Sequence, residues 1–274
     1  MIDKYKVSVL RKKKLADVKL HKSVTYSSEN YGIGKGLTGK FVKIAILDTG
    51  CPAHMDLKNI VDSVSFIDED ESDAIGHATA MAGIIAADNS EAIRGLAYDS
   101  ELYFAKVFDK HGQGNFNSIV SGILWGIVKK VDIILLAISA DVDYPVLNDC
   151  IKKAYDQGIC IIAASKVNKV ESKEGYPAYY KEALACKYNT NKSIKKIEYD
   201  GNSIIMVLPQ DIIYTTAPNN KYTSITGTSV AAAFTAGLAA CVIERMRKDE
   251  IDNGEELLPY MIYNRLGQLK WNKC

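Results

Sequence analysis

Three residues in this chain carry side chains suited to passing a proton and attacking a carbonyl: Asp48, His77 and Ser229. Asp48 ends the apolar run 41–47 and is followed by Thr49-Gly50. That places it at the carboxyl end of a buried parallel strand, where α/β proteins gather functional groups. A carboxylate there either caps a loop or orients a partner. His77 opens the segment 77–87, in which small residues recur as in a closely packed helix; it reads either as a satisfied structural histidine or as a base. Ser229, within Gly227-Thr228-Ser229-Val230-Ala231-Ala232-Ala233, starts a long alanine-rich helix, where serine is a common N-cap. The same position offers first-turn amides that can stabilise an oxyanion beside a nucleophilic hydroxyl.

The elements that must position these side chains follow from periodicity. Apolar runs at 41–47, 102–107, 131–138 and 159–164 read as buried strands. Between them, 117–130 sets Ile119, Ile123, Leu124 and Ile127 on one helical face, and 146–157 does so with Leu147, Cys150, Ile151 and Ala154 before the stop at Gly158. Strand and helix in alternation predict an α/β fold, a parallel sheet covered by helices on both faces. The stretch 166–226 is rich in Lys, Tyr, Asn and Thr, with short strands such as 203–208, and 228–247 and 255–263 read as helices. Residues 1–37 read as a polar N-terminal arm and 38–274 as one domain.

Composition narrows the function classes. The net charge of +1 gives no reason to expect nucleic-acid binding, and the basic run Arg11-Lys12-Lys13-Lys14 reads as a solvated face. No stretch approaches the roughly 20 apolar residues of a membrane span, and the N-terminus lacks the apolar core of a signal peptide, so a cytoplasmic protein is expected. The six cysteines are scattered with no C-x-x-C pair, which argues against zinc and for buried free thiols.

Taken together and in order, Ala45-Ile46-Leu47-Asp48-Thr49-Gly50, Gly76-His77-Ala78-Thr79 and Gly227-Thr228-Ser229-Val230-Ala231-Ala232 resemble the three motif blocks of the subtilisin-like serine proteases. The resemblance spans about residues 38–240 and includes Met55-Asp56-Leu57, Ala105-Lys106-Val107-Phe108, Gly112-Gln113-Gly114 and Gly175-Tyr176-Pro177-Ala178. It implies a three-layer α/β fold and a serine endopeptidase acting through an acyl-enzyme on a protein or peptide substrate. In that reading Ser229 attacks, His77 takes and returns the proton, and Asp48 holds the imidazole. Activity is then expected to rise through about pH 6–7. No cofactor is required by this chemistry. The layout is closest to intracellular members, or to leader peptidases of peptide clusters, so a precursor or leader peptide is an expected substrate.

Several family positions are changed. The oxyanion asparagine that follows Ala-Ala-Gly is replaced: here Ala163-Ala164-Ser165 is followed by Lys166. The replacements to consider are the Lys166 ammonium and Asn168 in a rearranged loop, against a Lys166 that simply faces solvent. The wall that reads Ser-Leu-Gly-Gly in relatives is Ala137-Ile138-Ser139-Ala140. With Ala163, Ala164, Ser165 and Gly175 it forms the expected substrate pocket, narrowed towards selective cleavage. Ala80 and Ala233 replace a histidine and a proline of the family blocks. Asp56 matches a calcium-binding aspartate and Asn89 lies in a loop like the calcium loop, so a structural calcium is carried as an expectation beside the reading of Asp56 as a plain capping carboxylate. A catalytically silent binding module and a transpeptidase using the same triad are the alternatives.

Overall fold

The computed structural model describes residues 6–8, 17–166, 175–188, 197–199, 201, 203–206, 213–250 and 258–269. In chain order its strands and helices are β1 (Lys6–Ser8), β2 (Val24–Thr25), β3 (Lys43–Asp48), β4 (Ile60–Ser65), α1 (His77–Ala86), β5 (Ile93–Arg94), β6 (Glu101–Lys106), β7 (Gln113–Asn115), α2 (Phe116–Lys129), β8 (Ile133–Leu136), α3 (Pro145–Asp156), β9 (Cys160–Ala164), β10 (Ala183–Tyr188), β11 (Ile197–Tyr199), β12 (Ser203–Met206), β13 (Ile213–Ala217), β14 (Lys221–Ile225), α4 (Thr228–Glu250) and α5 (Pro259–Gly267). Eight strands form the central sheet in the order β11-β12-β10-β9-β8-β3-β6-β4. All neighbours run parallel except β11, which is antiparallel to β12.

Alternation along the inner strands divides the core into two layers. Ile44, Ile46, Ile133 and Leu135 face one side, where α1 and α4 pack. Ala45, Leu47, Ile134 and Leu136 face the other, covered by α2 and α3. The expected three-layer α/β fold is therefore present. Its helices start for local reasons. Asn115 and Ser118 make a reciprocal capping box on α2, and Pro145 sits in the first turn of α3.

Three expectations need correction. Phe41 is not in a buried strand: it lies in a tight turn at φ 63° and is 73% exposed. Of the expected N-terminal arm 1–37, the described residues 17–37 do not stand apart from the domain. Tyr31, Ile33 and Leu37 are buried in the core, Tyr31 edge-on to Phe234 at 5.4 Å, because a polar stretch still carries apolar residues at the positions that face α4. Val24 and Thr25 pair with Ile93 and Arg94, and the backbone of β1 pairs antiparallel with β7. Finally, one helix, 228–249, is long and apolar enough to cross a bilayer by length and composition, yet 89% of its apolar window is buried inside the fold. Its alanines let it lie close against β8, β9, β10 and α1, which explains an all-round apolar helix without a membrane.

Glu244 closes the structure. Its buried carboxylate accepts the backbone amides of Thr38 and Gly39 at 2.7 and 2.8 Å and of Lys40 at 3.2 Å, fastening the entry to β3 onto α4. The five described cysteines are free thiols, four of them buried.

Candidate active site

Leu47 of β3 is in register with Leu136 of β8, so Asp48 and Ala137 emerge side by side at the carboxyl ends of strands about 4.8 Å apart. Asp48 is fully buried. Its Oδ1 accepts the Thr49 amide at 2.7 Å, and Nδ1 of His77 lies 2.8 Å from both carboxylate oxygens. The Ser229 hydroxyl donates to the carbonyl of Ala137 at 3.0 Å. The carboxylate, the imidazole and the hydroxyl thus gather at two adjacent strand ends. His77 and Ser229, both among the described residues, are not joined by a hydrogen bond; the hydroxyl is turned to Ala137 instead. One rotamer step moves Oγ off that carbonyl, and catalytic hydrogen bonds commonly close only when substrate is bound.

The position of His77 is built by a residue that neither motif nor periodicity singles out. Asp73 is buried and accepts four hydrogen bonds around the start of α1. Oδ1 takes the Thr49 hydroxyl at 2.7 Å and the Gly76 amide at 2.8 Å; Oδ2 takes the Thr79 amide at 2.7 Å and its hydroxyl at 2.6 Å. It therefore satisfies orphan amides of the helix N-terminus and ties them to the residue after Asp48. Gly76 supplies the left-handed turn, φ 88°, that aims the chain into α1. From the far side, the hydroxyls of Thr215 and Thr216 donate to the carbonyls of Ala80 and Thr79 at 2.6 and 2.7 Å. The available signal in the sequence is an acid four residues ahead of a helix start, a place for a helix-stabilising carboxylate.

Burial disfavours the charged imidazole of His77. The Asp48 charge and hydrogen bond oppose this, the Asp73 charge adds to them, and together they hold its pKa above the ordinary 6.5. A base must be neutral to accept a proton, so on the expectation that His77 is that base the acid limb of kcat/KM has its midpoint above pH 6.5, higher than an unperturbed histidine would give. A kcat/KM profile between about pH 5 and 10 checks this. The same pairing stabilises the fold fully below the unfolded imidazole's value, and that contribution fades as pH rises through the folded one.

The remaining expected site residues are placed as follows. The Lys166 ammonium pairs with Asp141, both partly exposed. Asn168 lies outside the described residues. Ala137, Ile138, Ala163, Ala164 and Ser165 are buried, Ser139 is half-buried, and Gly175 faces Ser139. Ala140 and Tyr176 exchange backbone hydrogen bonds of 2.7 and 2.8 Å, joining the wall to the rim. Asp56 and Asn89 do meet: the Asn89 amide donates to Oδ1 at 2.9 Å and the Tyr222 hydroxyl to Oδ2 at 2.7 Å. Burial, with Asp56 adding, pushes that tyrosine up to about 12, so it stays a donor. Both carboxylate oxygens therefore face neutral donors, and among the described residues no cluster of three or more His, Cys, Asp or Glu side chains is arranged to hold a metal ion.

Comparison with known proteins adds an independent line. The profile described as "Subtilase family" matches residues 39–262. The chain is 36% identical over 224 residues to the major intracellular serine protease of Bacillus subtilis (strain 168), covering 76% of this chain and 70% of that protein. It is 35% identical over 219 residues to subtilisin DY of Bacillus licheniformis, covering 77% and 80% of the two chains. An intracellular serine protease of Paenibacillus polymyxa is 35% identical over 219 residues, covering 74% and 67%.

Proposed function

The chain belongs to the subtilase family and is a subtilisin-like serine protease acting on protein or peptide substrates, and on that premise we propose that Asp48, His77 and Ser229 are its catalytic triad. The observation that carries the reading is the Asp48–His77 pair at a strand end whose neighbour, Ala137, receives the Ser229 hydroxyl. In the proposed cycle Ser229 Oγ attacks the substrate carbonyl while His77 Nε2 takes its proton. Asp48 fixes the proton on Nδ1 and stabilises the imidazolium, which then protonates the leaving amine. Water repeats the sequence to release the acyl group.

The oxyanion is met by amides of the first turn of α4, which have no intrahelical partner. With Lys166 occupied by Asp141, Lys166→Ala is expected to leave kcat within about threefold, whereas removing a true oxyanion donor costs about 10²–10³, a figure known from this family. A larger fall in kcat for Lys166→Ala would show that the ammonium leaves Asp141 during turnover.

We further read the activity as selective processing of a precursor or leader peptide in the cytoplasm. The replacement of two wall glycines by Ser139 and Ala140 supports selectivity. The names of two relatives as intracellular proteases support the location. A fluorophosphonate probe tests the triad: the parent is expected to label and Ser229→Ala not to. A folded parent that does not label is a silent binding module.

A further inference from the structure

The sheet carries a second buried charge beside Asp48, and the proposed cycle does not use it. Lys106, the last residue of β6, is in register with Asp48, the last residue of β3. It alternates with Leu102 and Phe104 as Asp48 does with Ile44 and Ile46, so both side chains leave the sheet on the face that α1 covers. Lys106 is 1% exposed and is among the largest fully buried side chains. A buried ammonium is unfavourable unless it is paired and hydrogen-bonded. Among the described residues its partners come from one segment, the connection from β4 to α1. Nζ lies 3.0 Å from Asp68 Oδ1 and 3.9 Å from Asp70 Oδ2, and it donates to the Asp70 carbonyl.

That segment leads directly to His77. Its start is tied to the same strand end, where the Phe66 amide donates to the Lys106 carbonyl at 2.9 Å. Its end lies on the turn after Asp48. The Cys51 amide donates to the Glu71 carbonyl at 2.6 Å, and the Asp73 amide to the Cys51 carbonyl at 3.0 Å. The approach is close, since a Cβ on Gly50 would lie 2.3 Å from the Ser72 carbonyl oxygen. Asp73 then gathers Thr49, Gly76 and Thr79 around the start of α1. Between the two backbone ties run Asp68, Glu69 and Asp70, three like charges in a row, and the Lys106 ammonium pairs with the first and third. Crowded like charges repel, so without that cation the segment is driven off the strand ends.

We propose that Lys106 is a positioning residue for His77: its ammonium holds residues 68–70, and through them Asp73, in the place that keeps the imidazole on Asp48 and in reach of Ser229. The proposal rests on the triad assigned above. Lys106 touches neither Asp48 nor His77, so it acts through the segment alone. Loss of the ammonium frees the outer half of the segment, Asp73 draws back from the start of α1, and the imidazole loses both its aim and one of the charges that raise its pKa.

Lys106→Met tests this in the full chain, because it keeps an unbranched apolar stem and removes the charge. Well below its Tm, kcat/KM on a peptide substrate is expected to fall by about 10²-fold, mostly in kcat, and the acid limb to move to lower pH. Asp68→Ala breaks the same contact from its partly exposed end and leaves the core filled. About a threefold to tenfold fall is expected, with the limb moved the same way; this variant decides if Lys106→Met does not fold. Glu244→Gln loosens the opposite end of β3 and calibrates an ordinary loss of stability, a lower Tm with an unmoved limb. An unmoved limb in Lys106→Met or Asp68→Ala, or an equal shift in Glu244→Gln, overturns the proposal. So does a limb that moves to higher pH, which would show the ammonium acting on the imidazole by its charge alone. Fluorophosphonate labelling separates the two levels. A labelled parent whose variants keep its limb refutes the role of Lys106 alone. An unlabelled folded parent refutes the triad beneath it.

Discussion

Ser229→Ala is expected to lower kcat by about 10⁶-fold, the size already established for the equivalent serine in subtilisin itself. His77→Ala is expected to cost about as much, and the pair no more than either alone, because nucleophile and base act as one unit. Asp48→Asn keeps the shape of the buried pair but offers an amide where a carboxylate stood, so the imidazole loses its tautomer and its counter-charge; about 10⁴-fold is expected, the figure for the equivalent change in another serine protease fold. Single-turnover acylation rates read all three. A Ser229→Ala protein with more than about a thousandth of the parent's kcat would remove Ser229 as nucleophile. None of the three is expected to unfold the protein, since α4 is held by its apolar packing and by Glu244 rather than by the serine hydroxyl.

Asp73 carries the second large effect. Asp73→Ala strands two backbone amides and two threonine hydroxyls at the start of α1, and is expected to cost about 3–5 kcal/mol of stability. Asp73→Asn is more informative. Its oxygen can still serve Thr49 and Gly76, but its NH2 then faces the Thr79 donors. A displaced α1 tilts the His77 ring relative to Ser229, and an error near 1 Å is worth about 10²-fold in kcat/KM. Loss of the negative charge also removes one of the influences that raise the His77 pKa, so the acid limb should move to lower pH. Thermal melts and kcat/KM profiles of both variants check this. A lower Tm with an unmoved acid limb would leave Asp73 a purely structural cap.

Much of this architecture is legible in the chain itself. The apolar runs 41–47, 131–138 and 159–164 supply neighbouring parallel strands, because only a sheet covered on both faces makes an uninterrupted apolar strand favourable. The triad candidates stand out by motif and order rather than by any one residue. What stays hidden is mostly polar geometry. Asp73 works through oriented hydrogen bonds to groups three and six residues away, and periodicity does not report those. Lys166 reads as a free cation until Asp141, twenty-five positions earlier in sequence, is brought beside it by the fold. The β13–β14 hairpin is masked by its polar surroundings. Its signal is Asn219-Asn220, which take φ 62° and 56° as a tight hairpin turn requires.

The helix that presents Ser229 is also the keystone of the fold, and it is made late. It must find β8, β9, β10 and α1, and its Glu244 reaches back across 205 residues to Gly39. Contacts this distant form slowly and only once most of the chain exists. During synthesis the ribosome therefore extrudes the Asp48–His77 pair long before Ser229, the nucleophile proposed above, has been translated. On that proposal a growing or prematurely ended copy carries no nucleophile, and digestion of its neighbours is expected to begin only with molecules that have been finished and closed.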